Sequence, residues 1–186
     1  MGIYILLVTA ALAAVATLAA ARYGAFLRVT PTLSEEGGER LVYEELRGDY
    51  RLSGPAMDRV YYSLLNERAI ETFLGFGLYY DDPRRTPKAE LRSEAGCVIE
   101  DPDRTRASEL GPGFLQRDFP RGTYATAEFP FRGKASIMLG ILKVYPALAA
   151  AATAAGYGPG GFIMERYDVP GKRILYRKQL LGETRP

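Results

Sequence analysis

From Gly2 to Ala21 the chain carries no charged side chain. Twenty residues at a helical rise of about 1.5 Å span roughly the 30 Å hydrocarbon core of a bilayer, so the run predicts a helix able to cross a membrane. A buried core helix is a competing reading. Such a helix keeps a polar stripe, however, and here only Tyr4, Thr9 and Thr17 carry polar side-chain atoms. A cleaved signal sequence also competes, because Ala19, Ala20 and Ala21 would suit a cleavage site. Against it, no Lys or Arg precedes Arg22, and a signal sequence begins with basic residues. Arg22 and Arg28 follow the run, and that charge bias places the downstream residues on the cytoplasmic side. The expectation is a single-pass membrane anchor at residues 1–22, touching the membrane through residues 2–21, and a linker at 23–40. Met1-Gly2 also opens a myristoylation pattern, but Leu6 stands where that pattern needs Ser or Thr.

The remaining length suits one domain. Its charges nearly balance, 24 Lys and Arg against 22 Asp and Glu, and a net charge of +2 is too small to hold nucleic acid by electrostatics. No direct nucleic-acid binding is expected. The single cysteine, Cys97, excludes an internal disulfide and reads as a small buried thiol. The absence of histidine excludes His-based metal sites and Ser-His or Cys-His catalysis. No metal or other cofactor is expected.

Along the domain, Leu41–Leu46 reads as a strand, and Ser53-Gly54-Pro55 opens a helix running to about Ala69, with Val60, Tyr61, Leu64 and Leu65 as its apolar stripe. Strands follow at Thr72–Tyr80 and Leu91–Glu100. A charged segment punctuated by Gly and Pro, residues 101–121, forms a seam. Beyond it the order repeats: strand Gly122–Phe131, helix Lys134–Ala155 closed by Gly156, then strands Gly161–Val169 and Arg173–Leu180. The pattern predicts an α+β fold, a duplicated βαββ unit with repeats at 41–100 and 122–181, a cleft between them and a tail at 182–186.

The run Gly77-Leu78-Tyr79-Tyr80-Asp81-Asp82-Pro83, with Pro87, Glu90-Leu91-Arg92 and Cys97-Val98 after it, resembles the signature of the GyrI-like small-molecule-binding domains. Gly122-Thr123-Tyr124-Ala125 and Glu165-Arg166-Tyr167 resemble the second repeat of that family. With the apolar N-terminal helix, Thr126–Phe131 and Val144–Leu148, the chain is similar to its membrane-anchored type, which includes a testis-expressed ER-phagy receptor. The resemblance implies tandem SHS2-like βαββ units and a cleft for a hydrophobic or cationic small molecule. Other members are drug-sensing effector-binding domains, or hydrolases of strained electrophiles. The receptor's autophagy role depends on an acidic tail, which residues 182–186 are not expected to supply, so that role is not expected here.

Glu165 is the sharpest candidate, because it places a carboxylate in the strand that opens with the apolar run Phe162-Ile163-Met164. The resemblance gives it the cleft-facing role: attracting a cation, or acting on water as the catalytic base if the protein is a hydrolase. Tyr167 shares its face by alternation. Aligning Gly77-Leu78-Tyr79 with Glu165-Arg166-Tyr167 puts Gly75, Gly77 and Tyr79 across the cleft, where the glycines would leave room for a ligand. Matching Tyr80-Asp81-Asp82-Pro83 to Tyr167-Asp168-Val169-Pro170 instead shifts the register by one residue and reverses the face. Tyr124 is expected as a further aromatic wall. Three functions follow: a tethered binding module for an apolar or cationic compound, a hydrolase using Glu165, and an adaptor that recruits a protein partner to the membrane.

Overall fold

The computed structural model describes residues 1–100, 103–108, 110 and 114–182. The apolar run forms helix α1, Gly2–Arg22, with no residue buried. It ends where Gly24 takes a φ of 89°, a conformation that costs glycine nothing. Strands β1 (Thr32–Glu36) and β2 (Arg40–Arg47) follow, then helix α2 (Ser53–Arg68), β3 (Leu74–Tyr79) and β4 (Arg92–Ile99). Helix α3 (Arg104–Ser108) and β5 (Leu115–Asp118) lead into β6 (Gly122–Pro130), helix α4 (Lys134–Ala154), β7 (Ile163–Asp168) and β8 (Arg173–Gln179).

All eight strands form one antiparallel sheet in the order β1-β6-β8-β7-β3-β4-β2-β5. Read outward from the central β3–β7 pair, each half presents its strands in the same sequence, as a duplicated βαββ unit with one added edge strand requires. The added strands correct the expected boundaries. Residues 23–40 are not simply a linker, because they contain β1, paired with β6 from Thr32↔Thr126 to Glu36↔Gly122. The seam contains α3 and β5. Both strands are short, polar and at the sheet edge, so neither shows the apolar alternation by which a strand is read. Of the expected tail, residues 183–186 lie outside the described residues.

The sheet buries both faces. On one, Val60 and Leu64 of α2 pack with Val42, Cys97 and Ile99, while Val144 and Leu148 of α4 pack with Phe129, Ile174 and Tyr176. Each such aliphatic side chain contributes roughly 1.5–3 kcal/mol on burial. The other face carries Leu41, Phe76, Leu78, Val98, Tyr124 and Met164 and is capped by Phe119. The β1–β2 and β5–β6 connections meet there. Gly38 N donates to Phe119 O at 2.7 Å, and Phe119 N donates to Glu39 O at 2.7 Å. The crossing is so close that a Cβ on Gly37 would lie 2.1 Å from Pro120 O. Arg177 of β8, 1% exposed, pairs from this face with Glu36 at 2.9 Å and Glu39 at 2.5 Å.

Candidate functional site

Register places the site. Gly77 lies directly across from Glu165, and Gly75 across from Tyr167. On the far side of β7, Glu165 faces Tyr176, which in turn faces Ala127; beyond Gly77 comes Ala95. Alternation puts this row on the helix-covered face, so Glu165 points toward α2 and α4 with Gly77 on one side and Tyr176 on the other.

Glu165 is 1% exposed. Tyr145 of α4 donates a hydrogen bond to its Oε1 at 2.9 Å, and the Tyr167 hydroxyl donates to Oε2. No Lys or Arg pairs with it among the described residues. Burial pushes the Glu165 carboxyl above the usual carboxylate range, and the two tyrosine hydrogen bonds pull against that shift. Burial, reinforced by the Glu165 charge, raises Tyr145 and Tyr167 well above an ordinary phenol. They therefore act as donors.

Aromatic rings line the surroundings. Tyr145 meets Tyr176 edge-on at 6.2 Å, and Phe131 meets Tyr167 at 5.6 Å. Tyr79 packs on Tyr50 at 4.8 Å and turns its hydroxyl back over Gly77. A Cβ on Gly77 would meet that ring's Cζ at 2.8 Å. The expectation of open room above the glycines is corrected here: Tyr79 fills the space over Gly77, and the Met57 sulfur lies 3.4 Å from where a Gly75 Cβ would sit. Room for a ligand exists only if those side chains move.

Five of the six expected site residues, Gly75, Gly77, Tyr79, Glu165 and Tyr167, come together. Tyr124 does not. It pairs with Gln179 and lies on the opposite face, stacked on Phe119 at 5.3 Å and donating to Pro120 O at 2.9 Å. The rest of the Tyr-Asp-Asp-Pro signature serves the β3–β4 connection. Asp81 holds Arg92 at 2.7 Å, Asp82 holds Arg84 at 3.0 Å, and Tyr80 turns to the other face to bond Glu94 at 2.5 Å.

Sequence reading missed Tyr145 and Tyr176. The second was within reach: the tight turn Val169-Pro170-Gly171-Lys172 sets Asp168 opposite Arg173, and counting back three residues sets Glu165 opposite Tyr176. A surface depression of about 460 Å³ also opens among Glu71, Glu100, Arg166, Asp168 and Arg173. Both of its arginines are already paired within it, Arg173 with Asp168 at 2.9 Å and Arg166 with Glu100 at 3.7 Å.

Residues 30–173 match the model of the GyrI-like small molecule binding domain, a span that includes β1. The C-terminal domain of EcmrR shares the fold at a TM-score of 0.57 and 10% identity, covering 83% of this chain and 98% of that one. An integron cassette protein from the mobile metagenome of Vibrio cholerae superposes at 0.53 with 11% identity, covering 82% and 97%. No curated protein matches the sequence.

Proposed function

The chain belongs to the GyrI-like small molecule binding domains, and from that membership we propose that it binds an apolar, cationic small molecule beside Glu165, held at a membrane by α1. One observation carries the reading. Glu165 is a fully buried carboxylate whose hydrogen-bond partners are tyrosine hydroxyls, ringed by aromatic side chains and lacking a paired cation among the described residues. Burying such a charge is costly unless a partner compensates it. A lipophilic cation supplies the charge, and the faces of Tyr79, Tyr145, Tyr167 and Tyr176 supply cation–π and apolar contact. Tyr79 must leave Gly77 for the ligand to reach the carboxylate, which makes it the movable wall of the site.

The test is thermal unfolding of the full chain in nanodiscs against a panel of lipophilic cations. Stabilisation of the wild type but not of Glu165→Gln supports the reading; equal stabilisation of both removes Glu165 from it.

A second reading has one observation in its favour. A carboxylate raised by burial and flanked by two hydroxyl donors is suited to act as a general base on water, which would make the protein a hydrolase of strained electrophiles. That reading predicts turnover which disappears in Glu165→Gln. The adaptor related to an ER-phagy receptor predicts instead a protein partner that stays bound after Tyr79 and Glu165 are both replaced.

A further inference from the structure

Helix α4 has no polar face. Its inner side, with Gly140, Val144 and Leu148, is buried on the sheet. Its outer side presents Ala135, Met138, Leu142, Pro146, Ala149 and Thr153 at intervals of three and four, and Met138 and Leu142 are 58% and 67% exposed. A helix facing water normally turns charge outward, as α2 on the same side of the sheet does with Asp58, Arg59, Glu67 and Arg68. In α4 the only charged residues are Lys134 at its start and Lys143.

Lys143 points to what lies outside. Its ammonium donates to Ala25 O at 2.5 Å and Gly24 O at 3.3 Å, and Gly24 is buried against Phe129, whose Cζ a Cβ at that position would meet at 2.6 Å. The end of α1 is therefore fastened to the middle of α4. Met138 lies about 7 Å along the helix axis from that fastening, and Leu142 is adjacent to it. Exposed Phe26 and Leu27 continue the apolar surface, and exposed Arg22, Arg28 and Lys134 border it.

We infer that the outer face of α4, together with Phe26 and Leu27, rests on the bilayer into which α1 inserts, with the bordering basic residues among anionic headgroups. The inference rests on reading α1 as a membrane anchor. An apolar helix face bordered by Lys and Arg is the chemistry of an interfacial helix, and the fastening at Lys143 keeps that face within a few residues of the membrane. The domain is thus held against the lipid rather than swinging on a tether. α4 then has lipid on one side and, through Tyr145, the Glu165 carboxylate on the other. An apolar cation dissolved at the interface meets the helix that lines its site.

The test uses the full chain in phosphatidylcholine vesicles containing phosphatidylserine, with single cysteines placed at Leu142, at Leu12 in α1 and at Tyr62 on the outer side of α2. Each carries an environment-sensitive fluorophore and is read against bromolipid quenching. The native Cys97 is buried with its thiol pushed up to about 12, so it does not compete for label. The inference expects blue-shifted, quenched emission at Leu142, quenching at Leu12 and none at Tyr62. Quenching at Leu12 but not at Leu142 overturns the inference and leaves the anchor standing. A blue shift at Leu142 without quenching overturns it in favour of a second protein copy on that face. Absence of quenching at Leu12 overturns the anchor and the inference together.

Discussion

Replacing Glu165 by glutamine keeps the shape of the side chain and removes its charge. At an effective dielectric of about 20, a cation about 5 Å from the carboxylate gains about 3 kcal/mol, so the substitution weakens binding on the order of 100-fold. The wild type carries a second signature. Its carboxyl is raised by burial, so a cationic ligand must displace a proton once the pH falls below that raised value. Affinity for a probe such as tetraphenylphosphonium then drops about tenfold per pH unit, beginning above the 4.5 of an ordinary glutamate. Glu165→Gln has no such proton and shows a flat profile. The assay is equilibrium dialysis against nanodiscs carrying either protein, with empty nanodiscs correcting for lipid partition and a neutral aromatic of similar size as control. Equal affinity in both proteins, or a wild-type profile independent of pH, refutes the reasoning.

Without ligand the pH dependence of stability separates the two proteins. A carboxyl raised in the folded state makes that state bind more protons than the unfolded chain, so wild-type stability falls as pH rises from 4.5 toward the raised value. Denaturant unfolding across pH should show that decline in the wild type and its absence in Glu165→Gln. Gly77→Ala forces the Tyr79 ring off its seat, and urea melts should show a loss of about 1–3 kcal/mol. Arg177→Ala leaves Glu39, 17% exposed at its side chain, with only its longer pair to Arg166 at 3.4 Å and frees Glu36, and calorimetry should show a loss of about 3 kcal/mol as the β1–β2 connection loosens.

The α+β class, the helices α1, α2 and α4 and six of the eight strands were legible because they carry apolar runs or periods, most of them bounded by Gly, Pro or Asp. β1 and β5 were not, because Thr32–Glu36 and Leu115–Asp118 owe their strand geometry to partners distant in sequence rather than to their own pattern. The face of Glu165 depended on register. One-residue alternatives reverse it, and the long-range pair Gly77↔Glu165 decides it. Tyr124 was misplaced for the same reason: alternation fixes faces within a strand but not between β6 and β7. Tyr145 was hidden by helix rotation. A nearly uniform apolar helix such as α4 does not announce which side meets the sheet.

The central claim is that a lipophilic cation displaces Tyr79 and meets Glu165 beneath α4. A crystal structure of the protein with tetraphenylphosphonium tests it most directly. The account predicts the cation among Tyr145, Tyr167 and Tyr176 beside the Glu165 carboxylate, with the Tyr79 hydroxyl lifted from Gly77. A cation bound elsewhere, with Tyr79 still seated on Gly77, would contradict it.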